Sequence, residues 1–180
     1  MIVILAWGSL IWAPGGLSPM LAGDWQADGP FLPVEYCRQS KDGRLTLVVT
    51  EQAPSLRVLW SATTAADIDV TIRELAAREG CSVDRIAAVH SEGGGLDPWG
   101  VRSWLRTKEL QCAIWTALPP KFGGKDLITP TSKQAVSYLR SLSREAQAKA
   151  EEYVRKTPKQ IRTAYREIFE HELGWDQQDI

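Results

Sequence analysis

Residues 2–6, Ile2-Val3-Ile4-Leu5-Ala6, form an unbroken apolar run that stops at Trp7-Gly8-Ser9. A run this short, ended by Gly-Ser, reads as a buried strand that breaks into a tight loop. Gly8 lets the backbone turn sharply and lets another group come close to it. Ser9 adds a hydroxyl beside amides released from the sheet ladder, and successive free N–H groups in such a turn make a concave anion site. The loop is suited to holding a carboxylate.

More strands follow before any long helix. Residues 14–33 are rich in Gly and Pro and read as loop. Residues 34–39 and 45–50 read as the arms of a hairpin around Lys41-Asp42-Gly43, and residues 57–62 alternate as another strand. This density favours an α+β fold built on a small mixed sheet or barrel over a parallel α/β fold. A helix is expected from near Thr64, where Thr64-Ala65-Ala66-Asp67 is a variant capping box, to Glu79, with Gly80 closing it. Next come a short helix around residues 83–89, a flexible loop through Gly93-Gly94-Gly95 and Asp97-Pro98, and a strand over residues 111–118. Everything after Pro130 reads as helical. Thr131-Ser132-Lys133-Gln134 opens one helix with Val136, Leu139 and Leu142 inward, and residues 145–156 form an alanine- and charge-rich middle segment. Thr157-Pro158 opens the last helix, with Ile161, Ala164, Tyr165, Ile168 and Leu173 as its buried stripe.

Charge is balanced, with 21 basic and 22 acidic residues among 180, so neither a nucleic acid nor an anionic membrane is expected as partner. No apolar run approaches a membrane span. Three widely spaced cysteines, Cys37, Cys81 and Cys112, read as reduced thiols and place the chain in the cytoplasm. His90 and His171 are far apart and no His/Cys cluster has ligand spacing, so no metal is expected. Gly124-Lys125 lacks the flanking residues of a phosphate loop. Ser9 has neither a nearby His base nor a nucleophile elbow. The eight tryptophans read as packing, or, for Trp7, Trp12 and Trp60, as walls of an apolar-sided pocket.

One carboxylate stands out. At about 100° per residue, with Ile68 at zero, Ile72 lies near 40°, Leu75 near −20°, Ala76 near 80° and Glu79 near 20°. Glu79 therefore falls in the middle of the apolar stripe. Burying an ionised carboxylate is costly, so Glu79 is paired, neutralised or functional. The alternatives to function are that it snorkels out at the helix end or pairs with Arg73 or Arg78.

The opening Trp7-Gly8-Ser9-Leu10-Ile11-Trp12-Ala13-Pro14-Gly15 resembles the Tyr-Gly-Ser-Leu-Ile-Trp-x-Pro-Gly opening of the γ-glutamylcyclotransferases, most closely the ChaC-type, glutathione-directed branch. The likeness covers roughly the first eighty residues. It departs at Trp7, where the family usually has Tyr. It implies a γ-glutamylcyclotransferase-like α+β domain over residues 1–129, with residues 130–180 as a helical C-terminal extension packed on it. It also implies an enzyme that closes a γ-glutamyl compound, such as glutathione, into 5-oxoproline and a free amine, without cofactor. Ala76-Ala77-Arg78-Glu79 sits in the place of the family's helix-terminal Arg-Glu pair, so the resemblance implies Glu79 as the general acid/base. Residues Trp7, Gly8, Ser9 and Leu10 would hold the substrate, and Arg38, in a stretch with Ser40 and Arg44 that loosely resembles an Arg-x-Ser region of the ChaC branch, would assist. The rival reading is a non-catalytic binding domain for a small molecule or a protein on the same scaffold. An exposed apolar stripe along residues 161–173 would make the C-terminal helices a surface for an oligomer or partner.

Overall fold

The structure, a computed structural model, describes residues 1–97 and 99–177. Pro98 of the expected loop and residues 178–180 of the C-terminal segment lie outside the described residues. In chain order the elements are β1 (Ile2–Ala6), a 3₁₀ turn (Gly15–Met20), β2 (Phe31–Gln39), β3 (Leu45–Val49), β4 (Ser55–Arg57), β5 (Leu59–Ala62), α1 (Ile68–Glu79), a 3₁₀ turn (Val83–Arg85), β6 (Ile86–His90), α2 (Val101–Thr107), β7 (Cys112–Thr116), β8 (Lys121–Phe122), β9 (Lys125–Asp126), α3 (Ser132–Ser141), α4 (Arg144–Lys156) and α5 (Ala164–Leu173). The chain is a mixed α+β protein, as its strand density implies. Among the described residues no helix is long and apolar enough to cross a membrane.

The chain clusters into two units. The first comprises Met1–Ala6, Ala13–Leu32 and Arg57–Leu118; the second comprises Trp7–Trp12, Pro33–Leu56 and Pro119–Ile180.

The first unit holds a four-stranded sheet in the order β5-β1-β7-β6. β1 is interior, antiparallel to β5 and parallel to β7, and all five of its residues are buried. That explains its unbroken apolar run, since a strand covered on both faces has no polar side. α1 packs against the first 3₁₀ turn and β7. Its buried residues are Thr71, Leu75 and Ala76, the side of the helix that the periodicity picks out. Gly80 closes it in the left-handed region at φ 62°, as expected. The start is a correction: the helix begins at Ile68 and its cap is Asp67, whose carboxylate accepts from Asp69 N–H at 2.8 Å. The Thr64 hydroxyl instead donates to the Met20 carbonyl.

Residues 83–89 also depart from expectation. They form a 3₁₀ turn and then strand β6, in register with β7 from Ile86↔Thr116 to His90↔Cys112. A free sheet edge outweighs a weak local helical preference. α2 has no counterpart in the sequence pattern. It buries Val101 and Leu105, and its Trp104 indole donates to the Asp28 carbonyl at 3.0 Å. The Asp28 carboxylate accepts from Trp60 Nε1 at 2.8 Å and pairs with Lys108, and the two indoles meet edge to face at 5.7 Å. Lys108 and Trp60 hold the Asp28 carboxyl below its ordinary value.

The second unit contains the sheet β3-β2-β8-β9, with β4 also on β2. β2 and β3 form the expected hairpin, closed by Ser40 N–H on the Arg44 carbonyl at 2.9 Å. α3 opens with a full capping box between Thr131 and Gln134 and buries Val136 and Leu139. α4 is capped by Ser143. The last helix is a second correction: it starts at Ala164, capped by Thr163 and not by Thr157. Thr157 Oγ1 is already spent, donating to the Tyr153 carbonyl and accepting from Tyr36 Oη, each at 2.9 Å. The inward residues of α5 are Arg166 and Phe169, while Ala164 is exposed and Tyr165, Ile168 and Leu173 are half-buried. Ile161 is buried as expected but precedes the helix, and the stripe within the helix sits differently from its predicted place.

The N-terminus of α5 explains an acid inside β2. Glu35 is only 4% exposed. Its carboxylate accepts from Tyr36 N–H at 2.8 Å, Thr163 Oγ1 at 2.6 Å and Tyr165 N–H at 3.2 Å. Burial pushes the carboxyl above its ordinary value; the Thr163 hydroxyl and the surrounding N–H donors counter it only in part. A carboxylate at a helix start satisfies donors that the helix cannot.

Candidate functional site

β1 delivers the chain into the segment Trp7–Trp12, which belongs to the second unit. The turn is closed by Ile11 N–H on the Gly8 carbonyl at 3.0 Å. Trp7 is 6% exposed, and its indole N–H donates to the Leu47 carbonyl of β3 at 3.1 Å. Trp7 is thus a buried anchor of the loop and not the wall of an open pocket. Trp60, likewise, is committed to Asp28 and Trp104 in the first unit. Leu10 is buried and Ser9 half-buried.

Gly8 does let another group approach its backbone, and that group is the Tyr153 hydroxyl of α4. A β-carbon built on Gly8 would come closer to Tyr153 Oη than real β-carbons come to any atom. Leu47 N–H donates to the same hydroxyl at 3.3 Å, and Trp12 lies edge to face with the Tyr153 ring at 5.5 Å. One tyrosine therefore seats both ends of the loop. Sequence reasoning did not single it out, although Tyr153-Val154 is the one large apolar pair in an otherwise alanine- and charge-rich helix, a sign of an inward anchor.

Arg38, on β2, is also in the second unit. Its Nη1 donates to the Pro119 carbonyl at 2.7 Å and to Asp126 at 3.3 Å. Those bonds tie down the β8–β9 hairpin, whereas the loop meets Leu47 through the Trp7 indole and Tyr153 through Gly8. Ser40 Oγ donates to Asp42 at 2.6 Å, and Arg44 Nε pairs with the same carboxylate at 2.9 Å. Burial alone would raise the Asp42 carboxyl, but the Ser40 hydroxyl and the Arg44 guanidinium outweigh it and hold the group below its ordinary value.

Glu79 belongs to the first unit, as the last residue of α1. It is half-buried, with a side chain 20% exposed, and Arg78 Nη1 donates to its Oε1. The Arg78 guanidinium also donates to the Ala13 carbonyl, from Nη2 at 2.7 Å and from Nε at 3.3 Å. Of the two arginines that periodicity offered as partners, Arg78 is the one engaged. The pair is fixed because α1 ends on a left-handed glycine one residue later, so both side chains leave from the final turn.

Trp7, Gly8, Ser9, Leu10 and Arg38 thus fall in one unit and Glu79 in the other. Chemically, the first unit offers a carboxylate held by a guanidinium. The second offers a turn sealed by an aromatic hydroxyl, with a fixed arginine, Arg44, near it in the fold of the hairpin. Among the described residues no group of three His, Cys, Asp or Glu is placed to hold a metal ion. No family model, curated protein or solved structure matches the chain.

Proposed function

We propose that the chain is a γ-glutamylcyclotransferase-like enzyme that cyclises a γ-glutamyl compound to 5-oxoproline. The observation that carries the reading is the tight Gly8–Ile11 turn directly after a fully buried interior strand, in a run that resembles the opening of that family. Glu79, a half-buried carboxylate beside an arginine at a helix end, adds to it. In this reading Glu79 accepts a proton from the substrate's α-ammonium. The neutral amine attacks the γ-carbonyl carbon, the new C–N bond closes a five-membered ring, and the γ-amide C–N bond breaks. Glu79 returns the proton to the leaving nitrogen, then takes the surplus proton of the ring nitrogen and passes it to the released amine. The Gly8-Ser9-Leu10 backbone N–H groups hold the α-carboxylate, which keeps the substrate folded for attack.

Incubation with glutathione and with several γ-glutamyl amines, followed by assay of 5-oxoproline, tests the reading. Glu79→Gln is expected to lower the rate about 10²–10⁴-fold, the usual share of a positioned acid/base. Undiminished turnover in Glu79→Gln would move the acid/base to another residue. The second reading is a non-catalytic binding domain, and the Arg78–Glu79 ion pair favours it, because the carboxylate is already engaged within the protein. Absence of 5-oxoproline from every substrate would select that reading.

A further inference from the structure

In the second unit a hollow of about 150 Å³ is lined by Trp12, Asp42, Arg44, Lys149, Glu152 and Tyr153. That is well below the roughly 300–1,000 Å³ of pockets for drug-sized ligands, so its occupant has the bulk of a single amino acid.

Arg44 organises the hollow. Its Nε edge pairs with Asp42 at 2.9 Å, and Asp42 is itself held by Ser40 Oγ at 2.6 Å. Its guanidinium carbon lies 5.4 Å from the centre of the Tyr153 ring, and that ring is braced by Trp12. A guanidinium clamped on one edge and one face has already lost its rotamer freedom, so binding through it costs little ordering. Among the described residues no hydrogen-bond partner takes Arg44 Nη1 or Nη2. Those two groups form the fork that grips a carboxylate through two parallel hydrogen bonds.

The remaining walls set the ligand's charge. Lys149, paired with Glu145 at 2.7 Å, adds a second cation. Asp42 and Glu152 add two carboxylates, and Glu152 gives Oε1 to Lys156 at 2.6 Å, which leaves Oε2. The formal charges of the four lining groups cancel. A phosphate would meet two carboxylates at short range, and a simple amine would meet two cations. A neutral molecule carrying both signs suits both.

We propose that this hollow binds the head group of a small α-amino acid, with the carboxylate on the Arg44 Nη fork and the ammonium toward Glu152. The site uses neither Glu79 nor residues 7–10, so it stands or falls independently of the cyclotransfer reading.

Calorimetric titration of the full chain tests it with three probes: glycine, glycinamide, which lacks the carboxylate, and acetate, which lacks the ammonium. Glycine is expected to bind saturably, and each truncated probe about tenfold more weakly or worse. Arg44→Gln should weaken glycine by about tenfold or more, and Arg44→Lys, which keeps the charge without the fork, by less. Glu152→Gln should weaken glycine and leave acetate unchanged; it guards against a loss of fold in the Arg44 variants, which thermal unfolding would reveal. The proposal is overturned if glycine gives no saturable binding, if acetate or glycinamide binds as tightly as glycine, or if glycine binding survives intact in folded Arg44→Gln.

Discussion

Tyr153 Oη occupies the space that a side chain at Gly8 would need. The glycine is there for close packing: its backbone lies against a phenol that also receives Leu47 N–H. Gly8→Ala must push that phenol aside within a buried cluster, and overpacking of this kind costs about 1–3 kcal/mol. The expected outcome is a lower urea midpoint with unchanged slope. Adding Tyr153→Phe should recover part of the loss, and strict additivity in that double-mutant cycle would contradict the contact. Trp7 belongs to the same cluster. Its indole N–H is committed to the Leu47 carbonyl, and the hydroxyl that lies against Gly8 comes from Tyr153 of α4.

Helix starts are the least legible elements, and the reason is consistent. Thr64 and Thr157 each stand where a cap is expected, yet both hydroxyls serve tertiary partners, and the helices start at Asp67 and Thr163 instead. Any Ser, Thr or Asp in a short window can cap; which one does depends on what else its oxygen meets. C-terminal stops are clearer, because Gly80 and Gly174 adopt the left-handed geometry that few other residues accept. α2 shows the exception. It ends through Glu109 at φ 55°, with Leu110 N–H returning to the Leu105 carbonyl at 2.9 Å, the arrangement that normally uses glycine. Relief of that strain exceeds the entropy a glycine adds to the unfolded chain. Glu109→Gly is therefore expected to stabilise by about 0.5 kcal/mol, read as a higher urea midpoint. A lower midpoint would mean that the Glu109 side chain makes a compensating contact.

The pH profile belongs to the whole molecule, because carboxylates pull it in opposite directions. Glu35 has a folded value raised by burial. Its stabilising contribution is present below the ordinary value of 4.5 and lost as pH rises through the raised one. Asp28 and Asp42 have lowered values, so theirs is present above the ordinary 3.8 and lost as pH falls further. Urea midpoints taken across pH should thus fall on both sides of about pH 4. In Glu35→Gln the loss on the neutral side should vanish while the acid-side loss remains. Persistence of the neutral-side slope would assign it to another group. The same substitution sets an amide NH₂ among groups that are themselves donors, which lowers stability at every pH without restoring the slope.

At this scale the division between pattern and packing is plain. The interior strand β1, the hairpin at Lys41-Asp42-Gly43, the apolar side of α1 and its glycine stop, and the capping box of α3 follow from apolar period and turn chemistry. Both act over a few residues and are written locally. That Tyr153 fills the space at Gly8, that Glu35 receives the start of α5, that Arg78 bridges Glu79 to the Ala13 carbonyl, and that residues 86–90 become an edge strand were decided only by tertiary structure. Each of these depends on groups far apart in the chain that compete for the same donors and the same volume, and no local pattern records which of them wins.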